Sequence, residues 1–346
     1  MTETGAGGVT TIHCDYAQAF ARHDVYEPEE FQQLLAEARF QHCLQENDGR
    51  MGMFAWWCLR DLTDVKYKKP LGWNTKGLLS YAGDKKDIYY LYRCFLRPTE
   101  PTVHIASKRY FIRMGAVDNG IKAYASSPSL TLWLNGQRVS TLTDGDYTQS
   151  GGRVVNHVYY WRVPLHYGKN SVLVNDGSGH TDEAVIYFYG ANGLPELPAT
   201  ETPLITHLGS SNPANPAYFM DLPVQSQWPL YYDLDGSADN SFASLPAMVA
   251  GAKWIALRRV TKPGQETEIN FKLERNATVY VMTTKQPAPP AFLAGQHFVN
   301  TGLPDLVWRD NQLMLVPAQL FARPVSAGES VHLGPPDRDM IVMVKE

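Results

Sequence analysis

The first fifteen residues of this 346-residue chain include side chains that can do acid–base or nucleophilic chemistry. Glu3 stands in the glycine-rich stretch TETGAGG, and His13, Cys14 and Asp15 follow in the same segment. A carboxylate can attack an electrophilic carbon, and a nearby histidine can accept or donate a proton. The same composition is also typical of an unstructured terminal tail. The elements that follow must decide whether these residues belong to a site.

The segments after this opening alternate between helix and strand patterns. Residues 27–46 carry apolar residues at helical spacing after Pro28 and acidic residues in the first turn, which predicts a helix with one apolar face. The run GMFAWWCLRD, residues 52–61, predicts a buried strand, and residues 84–98 predict a second helix that ends at Pro98. So few strands cannot form a parallel sheet or close a barrel, so residues 1–100 are interpreted as the closing part of a larger domain. The predicted apolar face of the first helix consists of Phe31, Leu34, Leu35, Ala38 and Cys43.

Beyond residue 100 the periodicity becomes that of strands. In SLTLWLNGQRVSTL, Leu130, Leu132 and Leu134 recur at every second position before the dipeptide Asn135-Gly136, which is a strong hairpin signal. Similar segments predict an immunoglobulin-like sandwich over residues 101–190. Residues 191–227 are rich in Pro, Ser, Asn and Thr and are interpreted as a linker. Residues 228–346 predict a second all-β module of the sandwich or jelly-roll type.

Composition excludes several classes of protein. Only 19% of the residues are charged and the net charge is −4, so the dominant basic patch that nucleic acids require is not expected. No apolar run is long enough for a transmembrane helix, so no membrane partner is expected either. The first residues lack a signal-peptide pattern, and the compartment stays open. The four cysteines never occur as C-x-x-C, which argues against a zinc site and favours buried thiols. Neither a metal nor an organic cofactor is expected.

Three segments, in this order, resemble the end of the catalytic barrel of glycoside hydrolase family 2. They are TETGAGGVTTIHCDY, GMFAWWCLRD and WNTKGLLSYAGDKKDIYYLY. The downstream IKAYASSPSLTLWLNGQRV is similar to the sandwich domain that follows the barrel in β-galactosidase-like members. The resemblance covers residues 1–190. It implies a partial (β/α)8-barrel terminus over residues 1–100 and a sandwich after it. Together with the second all-β module that the strand pattern predicts, the expected fold is mixed.

By this resemblance, Glu3 matches the catalytic nucleophile of the family. A retaining glycosidase needs one carboxylate to attack the anomeric carbon and a second, about 5–5.5 Å away, to protonate the leaving oxygen. Trp56 matches the eighth-strand tryptophan that forms the floor of the sugar site. The alternative for Trp56 is packing in a core, and for the adjacent Trp57 core packing is the favoured interpretation.

Three further residues are candidate substrate contacts. His13 falls where family members place a histidine near the pocket, although it could equally pack within its loop. Asn74 and Lys76 form an N-x-K motif, which in β-glucuronidases grips the uronate carboxylate through charge-assisted hydrogen bonds. The alternative for this pair is an ordinary loop with a solvated lysine. Residues 85–87, Lys-Lys-Asp, are interpreted as a solvated helix start.

Two departures from the family pattern qualify the resemblance. Thr4 replaces the aromatic residue that usually follows the nucleophile. The general acid/base of the family belongs to an Asn-Glu pair, and the sequence contains no such dipeptide. The chain is therefore expected to be a fragment truncated before the nucleophile strand, with the other half of the site on a missing N-terminal barrel portion or a partner chain.

The resulting hypothesis is a fragment of a retaining exo-glycosidase that acts on terminal β-glycosides and is inactive alone. A β-galactoside is the first choice of substrate and a β-glucuronide the second. The alternative from another class is a non-catalytic carbohydrate-binding or scaffold protein of two β-modules. An accessory region of a polysaccharide lyase is a third, less favoured interpretation.

Overall fold

The structure is a computed structural model and consists mainly of β-sheet. The residues it describes are 4–10, 13–16, 19–20, 27–45, 55–63, 73–114, 120–149, 153–166, 168–189, 203–213, 215, 217–224, 241–242, 244–257, 267–304, 306–309, 315–336 and 339–346. They form two compact units, Met1–Phe188 and Tyr189–Glu346. The predicted division into a barrel end, a sandwich, a linker and a second module stays a prediction.

The first unit begins with helices and short extended pairs. Helix α1 spans Glu29–Phe40 and runs into a π-helical turn, Gln41–Gln45. Strands β1, Leu62–Thr63, and β2, Trp73–Asn74, pair antiparallel. Helix α2 spans Asp87–Leu96 and stops before Pro98 as the sequence predicts, because proline cannot continue the helical hydrogen bonding.

Helix α1 lies where the sequence predicts a helix, but it buries a polar face. Glu29, Glu30, Gln33 and Glu37 are each at most 1% exposed. Positions 29, 33 and 37 are four residues apart and therefore lie on one side of the helix. Of the predicted apolar face, Leu34 and Cys43 are buried, whereas Phe31, Leu35 and Ala38 are half-buried.

The segment predicted as a buried strand, residues 52–61, makes only single bridges where it is described. Thr4 bridges Trp56 and Arg60 bridges Leu79, both in parallel. Parallel bridges are the contacts expected between neighbouring barrel strands. The described residues do not show a barrel, however, and the barrel terminus stays a prediction.

The rest of the described part of the first unit forms two antiparallel sheets around one core, and Thr148–Gln149 pairs with Arg153–Val154 as a separate two-stranded sheet. The three-stranded sheet has the order β10-β5-β3 and the five-stranded sheet the order β4-β12-β11-β6-β7. Leu130, Leu132 and Leu134 point into this core as predicted, together with Val172 and Val174. The strands are β3 Val103–Ile105, β4 Ile112–Met114, β5 Gly120–Ala125, β6 Ser129–Leu134, β7 Gln137–Thr143, β8 Thr148–Gln149, β9 Arg153–Val154, β10 Val158–Arg162, β11 Gly168–Asn175 and β12 Thr181–Tyr189.

The predicted hairpin is confirmed by its backbone. Strands β6 and β7 pair antiparallel, with Leu134 opposite Gln137. The two residues between them, Asn135 and Gly136, both have positive φ, 51° and 78°. A two-residue turn with two positive φ angles is the type that Asn-Gly favours.

The second unit is all β. One sheet has the order β13-β17-β22, and the other has the order β14-β16-β23-β18-β21-β20-β15, with β19 also paired to β21. Strands β13 and β14 fall within residues 191–227, the range interpreted as a linker. The strands are β13 Ile205–Ser210, β14 Tyr218–Pro223, β15 Ser241–Phe242, β16 Lys253–Ala256, β17 Ile269–Leu273, β18 Ala277–Thr284, β19 Val299–Asn300, β20 Val307–Arg309, β21 Leu315–Val325, β22 Ser330–Leu333 and β23 Met340–Lys345.

No helix in the described part of the chain has the length and apolar character needed to cross a membrane.

Candidate functional site

The segment that follows Glu3 is held beside the first tryptophan of the pair at 56–57. The Thr4 N–H donates to the Ala55 carbonyl at 3.0 Å, and the Trp57 N–H donates to the Thr4 carbonyl at 2.7 Å. These two bonds make the parallel bridge between Thr4 and Trp56. Glu3 itself lies outside the described residues, so its side chain is not placed. The structure thus fixes the backbone position next to the candidate nucleophile.

Trp56 joins the segment at 55–57 to the loop that carries the N-x-K motif. Its indole N–H donates to the Lys76 carbonyl at 2.8 Å, and its ring meets Phe40 edge-on at 5.7 Å between centroids. Only 8% of Trp56 is exposed, whereas 43% of Trp57 is exposed. The core-packing interpretation of Trp57 is therefore wrong, and sequence reasoning missed Trp57 as the more accessible indole of the two.

Lys76 lies beside the residues that follow Glu3. A Cβ added at Gly5 would lie 3.6 Å from Cδ of Lys76 and would collide with the carbonyl oxygen of Trp57. Asn74 accepts the Lys76 N–H on Oδ1 at 3.2 Å, which braces the loop and leaves the amide NH₂ as a possible donor. Both Asn74 and Lys76 are half-buried. The structure therefore places Trp56, Trp57 and Lys76 next to Thr4 and Gly5, and Asn74 next to Lys76.

A buried lysine holds this arrangement in place. Nζ of Lys86, which is 0% exposed, donates to the carbonyls of Gly8 and Thr75 at 2.7 and 2.8 Å and pairs with Asp61 at 2.8 Å. Asp61 also accepts the Gly77 N–H at 2.8 Å. Burial lowers the pKa of Lys86, and the carboxylate of Asp61 opposes that shift. One ammonium group thus ties together the segments at 8, 61 and 75.

The interpretation of residues 85–87 as a solvated helix start is wrong for two of the three. Lys85 is exposed, but Lys86 and Asp87 are buried. Because neighbouring residues at a helix start point in different directions, one lysine faces solvent and the next faces the interior.

His13 contacts the start of α1. Its Nδ1 lies 3.0 Å from Oε1 of Glu30, its Nε2 lies 3.1 Å from the Thr10 carbonyl, and its ring stacks on Tyr110 at 5.8 Å. Burial by itself lowers the pKa of His13, but nearby carboxylates, Glu30 foremost, outweigh it and raise the pKa to about 9. These contacts are those of a protonated imidazole whose side chain is 9% exposed. They do not join His13 to the group around Thr4 and Trp56.

Sequence reasoning also missed a buried carboxylate pair at the start of both helices. Asp87 accepts from the Ser107 N–H at 2.6 Å and lies 2.7 Å from Nε2 of His104. The Asp87 N–H in turn donates to Glu29 at 3.1 Å, and Arg109 pairs with Glu29 at 3.3 Å. Burial, and then the charge of Asp87, raise the pKa of Glu29. Burial by itself raises the pKa of Asp87, but the contact with His104 outweighs burial, so the pKa of Asp87 is lowered.

A second buried ion pair attaches α1 to strand β5. Nζ of Lys122 lies 2.7 Å from Oε1 of Glu37, and the Tyr124 hydroxyl donates to the same oxygen at 2.7 Å. Lys122 also stands over the Tyr16 ring at 3.9 Å. The only sequence signal for these contacts is the four-residue spacing of Glu29, Gln33 and Glu37 along α1.

The described residues contain no set of side chains that could ligate a metal ion. No group of three or more His, Cys, Asp or Glu side chains there could hold a metal ion.

Neither a comparison with protein-family models nor one with curated protein sequences finds a match. Solved structures similar to the chain include a β-glucuronidase of Bacteroides uniformis, with 16% identity and a TM-score of 0.48 over 100% of this chain and 41% of that one. Another is β-glucuronidase 3 of the same organism, with 14% identity and a TM-score of 0.48 over 99% and 36%. A third is the β-glucuronidase of Parabacteroides merdae, with 13% identity and a TM-score of 0.48 over 100% and 38%.

The chain therefore spans about two-fifths of the length of these β-glucuronidases. Each TM-score is below 0.5 and each identity is at most 16%. Such a likeness assigns neither a family nor an activity to this chain.

Proposed function

We propose that this chain provides the nucleophile half of a retaining β-glycosidase site, as the C-terminal part of a family 2-like glycoside hydrolase. Glu3 is the proposed nucleophile, and its acid/base partner lies outside this sequence. The parallel bridge between Thr4 and Trp56 carries the proposal. This bridge pairs Thr4, the residue after Glu3, with Trp56. The resemblance requires such a pairing, because it assigns the two segments to neighbouring strands of a barrel.

The proposed reaction is a double displacement. The Glu3 carboxylate attacks the anomeric carbon, the bond to the leaving oxygen breaks, and a glycosyl ester forms. A carboxylic acid from outside this chain protonates the leaving oxygen. As a carboxylate, the same group then takes a proton from water, which hydrolyses the ester and releases the Glu3 carboxylate.

The neighbouring side chains support a sugar as the substrate. Trp57 offers an accessible indole face, on which the C–H face of a sugar can stack. The Lys76 ammonium and the Asn74 amide are donors suited to sugar hydroxyls or to a uronate carboxylate. A terminal β-galactoside remains the first choice of substrate and a β-glucuronide the second. The Asn74 and Lys76 pair favours the β-glucuronide.

Covalent labelling tests the nucleophile without the missing acid. A dinitrophenyl 2-deoxy-2-fluoro-β-glycoside carries a leaving group that departs without protonation, and its fluorine slows hydrolysis of the ester. We expect the galactoside or glucuronide reagent to add one sugar to Glu3, located by mass spectrometry of the peptide that contains it. The Glu3→Gln variant should stay unlabelled, whereas Glu100→Gln, which removes a half-buried carboxylate paired with Arg97, should label like the unaltered chain.

Labelling at another residue, or none with either reagent, would contradict the proposed nucleophile. Ordinary nitrophenyl glycosides test the second half of the proposal, because their hydrolysis should not be detectable with this chain alone. Turnover that disappears in Glu3→Gln would show instead that the chain contains its own acid/base.

A further inference from the structure

The outer face of the five-stranded sheet contains an open depression of about 690 Å³. This volume lies within the range of small-molecule sites in proteins, about 300–1,000 Å³. Its walls come from three adjacent strands, β6, β11 and β12, and from the β6–β7 turn. Its lining includes Trp133, Leu173, Asn175, Glu183 and Val185.

Strand register places three of these residues in one row across the sheet. Leu173 lies opposite Trp133 on one side and opposite Glu183 on the other. Their neighbours along the strands, such as Leu132 and Val172, are buried in the core. Because side chains alternate between the two faces of a strand, the row lies on the outer face. Neighbouring strands are about 4.8 Å apart, so the row is about 10 Å long, comparable to one or two sugar rings.

The lining combines an apolar floor with polar groups at its edge. Trp133 and Leu173 form the floor, and Val185 extends it with 39% of its surface exposed. Among the described residues, no hydrogen bond engages the Trp133 indole N–H or the Glu183 carboxylate. The Asn175 Oδ1 accepts the Gly177 N–H at 2.5 Å, which fixes the amide and leaves its NH₂ as a donor.

We propose that this depression, here called the sheet groove, is a binding site for a neutral sugar. One face of a pyranose ring carries C–H groups that pack on an indole, and its rim carries hydroxyls that need donors and acceptors. The sheet groove offers both surfaces side by side. The Glu183 carboxylate, which accepts hydrogen bonds and carries negative charge, selects a neutral sugar against an anionic one. This proposal does not depend on the chemistry assigned to Glu3.

Fluorine NMR of the full chain, labelled with 5-fluorotryptophan, tests the proposal. The Trp133 resonance is identified by its loss in Trp133→Phe. Neutral galacto-, gluco- and xylo-oligosaccharides are titrated, with oligogalacturonate as the anionic counterpart. We expect at least one neutral series to shift the Trp133 resonance and oligogalacturonate to leave it unchanged.

Calorimetric titration then measures affinity in matched variants. Trp133→Ala should weaken binding about tenfold, the effect expected for loss of one aromatic contact. Val139→Ala, on the exposed edge strand outside the lining, should bind like the unaltered chain. Trp57→Ala separates the two proposals, because it removes the exposed indole of the residue that bonds Thr4 and should leave binding in the sheet groove unchanged.

Three outcomes would overturn the sheet groove as a sugar site. The first is no shift of the Trp133 resonance with any neutral series. The second is loss of binding in Trp57→Ala with binding retained in Trp133→Ala, which would place the sugar near Glu3. The third is a Trp133 resonance that shifts with protein concentration alone, which would indicate that a second copy of the chain covers this face.

Discussion

At the scale of single residues, identical side chains next to each other have opposite environments. Lys85 is exposed, whereas Lys86 holds three segments through its ammonium group. The sequence alone could not predict which of the two lysines is buried, because both follow Asp84 and precede the same helix. The bridge between Thr4 and Trp56 is consistent with the order of the two segments that resemble neighbouring barrel strands. The exposure of Trp57 could not be predicted, because tryptophan in an apolar run is usually buried.

Replacement of Lys86 by methionine should strongly destabilise the first unit. The Asp61 carboxylate would be left buried without its cation, and breaking a buried ion pair in this way costs about 3–5 kcal/mol. The free energy of unfolding, measured by urea titration of the full chain, tests this.

The neighbouring lysine offers a matched control. Lys85→Met removes the same charge at an exposed position and should change the free energy of unfolding by less than about 1 kcal/mol. Equal losses for the two variants would contradict the anchoring role of Lys86.

At the scale of elements, the sequence predicts where structure forms better than which face is buried. The β6–β7 hairpin was predictable because Asn135-Gly136 specifies the turn by its own backbone preference. Helix α1 was predictable as a helix, but periodicity assumes that glutamate and glutamine face water. Glu37 can be buried because Lys122 and Tyr124, more than eighty positions away in the sequence, both donate to its Oε1. No local pattern contains that information.

A double-mutant cycle on Glu37 and Lys122 tests how α1 is attached to β5. Each single change to methionine leaves the other charge buried and should cost about 3–5 kcal/mol. The double variant removes both charges and should cost less than the sum of the two, with a coupling energy above about 1 kcal/mol. Urea titration measures all four proteins. Strict additivity would show that the two side chains do not interact energetically.

At the scale of the whole molecule, the chain divides into two compact units with separate sheets. The polar contacts of the first unit join its helical part to its sheets through buried ionisable side chains, including Glu37 with Lys122 and Asp87 with His104. A fold held in this way depends on protonation more than one held by apolar contacts alone. Its stability should therefore vary with pH near neutrality.

The raised pKa of His13 determines in which direction stability changes with pH. Its pKa rises from 6.5 in the unfolded chain to about 9 in the folded one, so the folded state binds the proton more tightly. The stabilisation is complete below pH 6.5 and is lost as the pH rises through about 9. A rise in the pKa from 6.5 to about 9 corresponds to about 3 kcal/mol of stabilisation at low pH.

Urea titrations from pH 6 to pH 9 measure this loss. His13→Gln should abolish it, because the variant has no group at this position that titrates. His180→Gln, at an exposed histidine, should retain it. The same fall in stability in the unaltered chain and in His13→Gln would assign the pH dependence to other groups.

The close approach of Gly5 to the Trp57 carbonyl has a consequence for the gene. Every single-nucleotide change in a glycine codon that yields another amino acid introduces a Cβ, and at codon 5 that carbon meets a backbone oxygen that cannot rotate away. Selection should therefore remove such alleles whatever the chemistry of the new side chain. Even the smallest replacement would move the backbone of the segment that follows the candidate nucleophile.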